Sequence, residues 1–118
     1  MLRNWFPTPR WKRYAAQSGY LYEYVFEGVE LAKPSALDYQ FRVRPAADAQ
    51  IVLRITVEKE LLQPWIRGHR ELDETECFGI AKLALQRAFD QAAEPGALIS
   101  IVRVSRSDME SYCRELDF

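Results

Sequence analysis

From Tyr20 the chain alternates, with Tyr20, Tyr22, Tyr24 and Phe26 on one side of an extended backbone and Leu21, Glu23, Val25 and Glu27 on the other. A period of two residues is that of a β-strand, whose successive side chains point to opposite faces. Gly28 interrupts the alternation, and a bulge there would let Val29 and Leu31 continue the strand. The period recurs over 38–44, with Tyr39, Phe41 and Val43 inward, and over 50–57, with Ile51, Leu53, Ile55 and Val57 inward. Pro45 is expected to stop the second strand, and PAADA to join it to the third as a short loop. Tyr39 and Phe41 would then share a face with the tyrosines of the first strand, as cross-strand aromatic packing beneath a helix.

After residue 57 the period becomes helical. Residues 58–66 read as a short helix packing through Leu61, Leu62, Trp65 and Ile66, bent or restarted at Pro64 and ended by Gly68. A longer helix over 73–92 opens on Asp73 and Glu76, a capping-box pattern, and carries an apolar stripe of Cys77, Ile80, Ala81, Ala84, Leu85 and Ala88. Phe78 and Phe89 flank the stripe, and Lys82, Gln86 and Asp90 face outward. Gly79 inside that helix implies a close approach to the sheet or to the 58–67 helix, so a larger side chain there should disturb packing. Pro95 and Gly96 end the excursion. The run 98–104 is apolar enough to suggest a strand central in the sheet, and Ser107 with Glu110 suggests a capped last helix that packs Met109, Tyr112, Cys113 and Leu116.

The expected fold class is α+β: a three- or four-stranded, mostly antiparallel sheet, order βββ-α-α-β-α, with the long helix across one face. The two-helix excursion is long enough for a crossover that lays the fourth strand parallel to the third. Ahead of the first strand, Pro7 and Pro9 keep the chain irregular, and 11–17 reads as a short helical turn.

Composition narrows the classes. A chain of 118 residues, 48% hydrophobic, suffices for one domain with a core that needs neither disulfide nor metal. No apolar stretch approaches the 20 or so residues of a membrane span, and the N-terminus lacks the apolar segment of a secretory signal. With only two cysteines and no ligand spacing, a cytoplasmic location is expected and no membrane partner. The net charge is −1, unevenly spread. Residues 1–19 hold Arg3, Arg10, Lys12 and Arg13 and no acid, whereas 20–118 hold 12 basic and 17 acidic side chains. The chain therefore divides into a basic, aromatic N-terminal arm (1–19) and a single α+β domain (20–118).

Candidate chemistry is sparse. His69, the one histidine, lies in a polar connection and reads as solvated. Cys77 falls in the first turn of the long helix, where amides and dipole favour a thiolate, but it also lies on the apolar stripe beside Glu74 and Glu76. Cys113 reads likewise as buried. Glu71, Asp73, Glu74 and Glu76 are explained by the helix N-terminus they surround, and Glu23 and Glu27 lie too far apart for a close carboxylate pair. No phosphate-binding glycine loop, nucleophile elbow or metal spacing is present. The expectation is no catalytic residue, no cofactor and no metal.

The arm is the one stretch whose composition suggests a partner. Trp5, Phe6, Arg10, Trp11, Arg13 and Tyr14 mix aromatics with cations and form the expected interaction surface, whether wrapped on the domain or set against another protein. The expected function is a non-enzymatic interaction or regulatory domain that associates with itself, as a homodimer, or with another protein. One alternative is a small enzyme with a site assembled near His69 and Cys77. Another is a single-stranded nucleic-acid or anionic-ligand binder using the arm, an expectation weakened by the acidity of the remaining chain.

Overall fold

Four strands run up and down in chain order: β1 (Lys12–Ala15), β2 (Leu21–Lys33), β3 (Ala36–Ala46) and β4 (Ala49–Glu58). They are followed by α1 (Glu74–Gln91), a 3-10 turn (Pro95–Ala97), β5 (Ile101–Arg103) and α2 (Arg106–Glu115). The computed structural model describes residues 10–33, 36–46, 49–58 and 74–117. Of the expected 58–66 helix only Glu58 is among them, as the last residue of β4; 59–66, Gly68 and Asp73 lie outside them. The strands form one mixed sheet in the order β1-β2-β3-β4-β5, antiparallel except for the parallel β4–β5 pair, with both helices contributing to its core.

The sheet therefore has five strands rather than three or four. The added one is β1, where a helical turn was expected. Lys12 and Tyr14 pair with Tyr24 and Tyr22, while Arg13 and Ala15 pair with Glu23 and Leu21. Pairing with the edge of β2 outweighs the weak helical preference of these residues. The β1–β2 hairpin closes through Gly19, whose φ of 97° is open to glycine at no steric cost and whose N–H donates to the Ala16 carbonyl at 2.9 Å.

The alternation in β2, β3 and β4 is realised. Tyr22, Tyr24, Tyr39, Phe41, Val43, Leu53, Ile55 and Val57 are all buried on the helix side. The expected bulge is present as a register shift between Phe26 and Gly28. β3 does not stop at Pro45 but continues to Ala46, with a register irregularity between Val43 and Ala46 that accommodates a residue lacking an N–H.

The long helix crosses an aromatic floor. Phe78 and Phe89 are separated by three helical turns and so share a side of α1. Phe78 meets Phe26 edge-on at 4.9 Å between centroids, and Phe89 stacks on Tyr22 at 4.3 Å with planes 5° apart. Phe89 is thus fully buried at the centre of the stripe rather than at its edge. Among the described residues, the atom nearest to a Cβ at Gly79 is Leu116 Cδ1 at 3.4 Å, just beyond the end of α2, and no sheet atom lies within contact; the expected 58–67 partner lies outside the described residues.

The C-terminal part departs further. The strand expected over 98–104 is confined to Ile101–Arg103, and it lies at the sheet edge, not its centre, parallel to β4 as the crossover argument suggested. The cap of α2 is Ser105, two residues before the expected Ser107. Its hydroxyl accepts from the Asp108 N–H at 3.1 Å, and the Asp108 carboxylate accepts from the Ser105 N–H at 3.3 Å. The reciprocal logic of a capping box is as expected, but Asp at the third helical position serves where Glu110 was assigned.

Candidate functional site

With α1 packed on one side of the sheet, the opposite side carries the charged positions of β1 to β4. Glu23 receives Arg44 at 2.9 Å and Arg13 at 3.4 Å, Glu27 receives Arg42 at 3.0 Å, and Asp38 receives Arg54 at 3.4 Å. Gln40 donates to Glu30 at 2.9 Å. Glu23 and Glu27 are thus each engaged by arginines of the neighbouring strands. Four arginines of this face lie against three carboxylates, with Glu23 shared by Arg13 and Arg44.

The described part of the arm is engaged with this framework. The Arg44 guanidinium lies 3.8 Å from the Trp11 ring centroid, and Tyr14 Oη donates to Asp90 Oδ2 at 2.8 Å. The other oxygen of Asp90 accepts the Gln17 N–H at 2.9 Å. Burial, then the bond to the Asp90 carboxylate, pushes the Tyr14 phenol up to about 12. Arg10 is exposed. Trp5 and Phe6 lie outside the described residues, as do His69, Glu71 and Asp73.

Cys77 and Cys113, distant in sequence, are both buried in the core shared by α1 and α2, and neither is in a disulfide. Burial, then the neighbouring Cys77, pushes the Cys113 thiol up to about 11, so it stays protonated and weakly nucleophilic at neutral pH. Among the described residues no group of three His, Cys, Asp or Glu side chains is placed to hold a metal ion, and no helix is long and apolar enough to cross a membrane.

Concave surface is found instead along the helices. A polar depression of about 450 Å³ is lined by Tyr14, Gln86, Asp90 and Glu115, and an adjoining one of about 310 Å³ by Ala84, Ala88, Ala92, Val102 and Arg103. Arg87, Gln91 and Tyr112 line both, with the Arg87 guanidinium 5.3 Å from the Tyr112 ring centroid. The two depressions thus meet at Arg87, Gln91 and Tyr112, and the second forms a groove beside β5.

At its β5 end the groove meets unpaired backbone. Arg54 N–H donates to the Ser100 carbonyl at 2.8 Å and Val104 N–H to the Thr56 carbonyl at 3.0 Å, so the even-numbered residues of this stretch face β4. In a parallel ladder the intervening residues direct their N–H and C=O groups to the other side. Those of Ile101 and Arg103 thus point to a free edge, with which no strand pairs among the described residues. The side chains of Ile99 and Ile101 are 65% and 57% exposed.

Sequence reasoning missed this edge because the apolar run 98–104 resembles an interior strand. Two signals pointed to it: Arg103 inside that run, a charge typical of edges, and alanines one turn apart at 84, 88 and 92, which leave the side of α1 shallow. Comparison with protein-family models, curated proteins and solved structures finds no match to this chain.

Proposed function

We propose that this chain is a non-enzymatic protein-interaction domain that takes an extended segment of a partner along β5. The observation that carries this reading is a short strand set at the sheet edge with Ile99 and Ile101 exposed, whose outward backbone groups pair with no strand among the described residues. Adding a strand satisfies those groups and covers the isoleucines, and the adjoining groove receives alternate side chains of the added segment. Selection of a random-peptide display library on the immobilised domain is expected to enrich sequences whose binding is lost in Ile101→Pro. Proline at that position removes only an outward N–H, and Ile101→Lys serves as a second variant if the first does not fold. Failure to enrich any sequence, or binding indifferent to both variants, would overturn the reading.

Self-association through the basic, aromatic N-terminal stretch belongs to the same proposal, since β1 forms the other edge of the sheet with Arg10 exposed beside it. Light scattering across a dilution series is expected to show a dimer. A monodisperse monomer at high concentration removes that part.

A further inference from the structure

Beyond the reading of β5, we propose that residues 1–9 dock on their own chain as a continuation of β1, along the outer edge of β2 from Val25 to Lys33. β2 is 13 residues long, yet β1 pairs with it only over Leu21–Tyr24. Past Tyr24 no strand covers that edge among the described residues. Phe26, Val29 and Leu31 are 41%, 47% and 61% exposed there. Their pairing with Phe41, Tyr39 and Leu37 sets them on the helix side of the sheet. The described chain begins at Arg10, two residues before β1, and β1 runs antiparallel to β2, so a continued strand runs along this edge. The arm and the edge are nine residues each, and an extended chain covers both at about 3.3 Å per residue.

The register of the hairpin fixes which side of the arm meets β2. The Ala16 N–H donates to the Tyr20 carbonyl at 2.8 Å, and the same register pairs Tyr14 with Tyr22 and Lys12 with Tyr24. In an antiparallel ladder hydrogen-bonded and non-hydrogen-bonded pairs alternate, so even-numbered arm residues turn their N–H groups to β2 and odd-numbered ones turn them away. Pro7 and Pro9, which have no N–H, fall on odd positions, where an edge strand takes proline without losing a ladder bond. The faces alternate in step: Tyr14 reaches Asp90 on the helix side and Trp11 meets Arg44 on the opposite one. On β2 the bulge between Phe26 and Gly28 moves the next outward backbone groups to Val29 and Leu31. Arg10 then stands opposite Phe26, Thr8 opposite Val29 and Phe6 opposite Leu31, with the Phe6 ring covering the two exposed aliphatic side chains. The prolines come to lie on the new outer edge and leave it few donors, which confines any pairing between copies to β1.

The test is amide hydrogen exchange of the full chain, read at Val29 and Leu31, with Glu30, which pairs with Asp38 of β3, as the internal reference. Exchange at Val29 and Leu31 is expected to speed up by about tenfold or more on deletion of residues 1–9, with Glu30 unchanged. Thr8→Pro, which removes an N–H turned to β2, should have the same effect, whereas Pro9→Ala should leave the rates as they are. Equal rates at Val29 and Leu31 in the full and shortened chains would overturn the proposal. So would equal effects of Thr8→Pro and Pro9→Ala, or an acceleration that Glu30 shares in both the shortened chain and Thr8→Pro. Protection of Val29 and Leu31 that falls on dilution would place the arm of a second copy at this edge and overturn docking within one chain.

Discussion

Tyr22 combines a well-placed ring with a poorly placed hydroxyl. The ring stacks on Phe89 and is fully buried, while the phenolic oxygen is buried with no hydrogen-bond partner among the described residues. Burying a polar group without a partner costs on the order of 1–3 kcal/mol, so Tyr22→Phe should keep the stack and stabilise the protein by about 1 kcal/mol, read as a higher urea midpoint. A lower midpoint would mean that the hydroxyl is satisfied. The buried tyrosines also set the alkaline limit. Burial raises Tyr39 to about 12, with Cys77 and Glu74 adding to it, and raises Tyr22 and Tyr112 as well. An acid whose folded pKa exceeds its unfolded value near 10 holds its proton more tightly when folded; its stabilisation is complete below pH 10 and is lost as pH rises toward 12. Thermal stability should therefore fall between pH 10 and 12, with phenolate absorbance rising together with unfolding. Full tyrosine ionisation in a still-folded protein would contradict this.

At the scale of the element, Gly79 lacks the close approach to the sheet that its place in the helix suggested. Among the described residues the nearest atom to an added Cβ is the end of the Leu116 side chain at 3.4 Å, not backbone, so alanine is accommodated there and restores helix propensity worth about 1 kcal/mol. Gly79→Ala should raise the melting temperature, and a drop would show that Leu116 cannot yield. The same contrast between local pattern and tertiary placement explains how far the fold was legible. β2, β3 and β4 could be read because one face of each is buried, and a period of two then fixes every inward residue from Tyr22 to Val57. β1 was missed because four residues at an edge carry too little alternation to outweigh a helical composition. β5 was recognised as a strand but placed wrongly, because apolarity reports contact with something apolar and does not say whether that is the chain itself. The candidate site was legible only in Arg103 and the alanine spacing; the rest depends on Arg87 and Tyr112 converging from two helices, a juxtaposition that only the packing of α1 against α2 creates.

For the molecule as a whole, the arm's position yields a direct test. Residues 1–14 include Trp11 beneath Arg44 and Tyr14 bonded to Asp90. Deleting them should lower the melting temperature or dissociate an oligomer, while the intact protein shows no appreciable binding to single-stranded DNA near physiological salt. Unchanged stability and assembly on truncation, together with salt-sensitive DNA binding by the intact chain, would reverse that expectation. The connectivity of the sheet has a further consequence, for the order of assembly. β1 to β4 pair with their immediate neighbours in sequence, so only short loops must close, whereas β5 reaches β4 after a long crossover whose closure entropy is paid before any contact rewards it. The meander should form early and the β4–β5 junction late, and late-forming units are commonly those that open first in the native state. Hydrogen exchange should then find the Val104 amide released at a lower opening free energy than those of Tyr39 and Phe41. Equal protection would make the sheet one cooperative unit; graded protection would make β5 a strand that comes and goes on a sheet that stays.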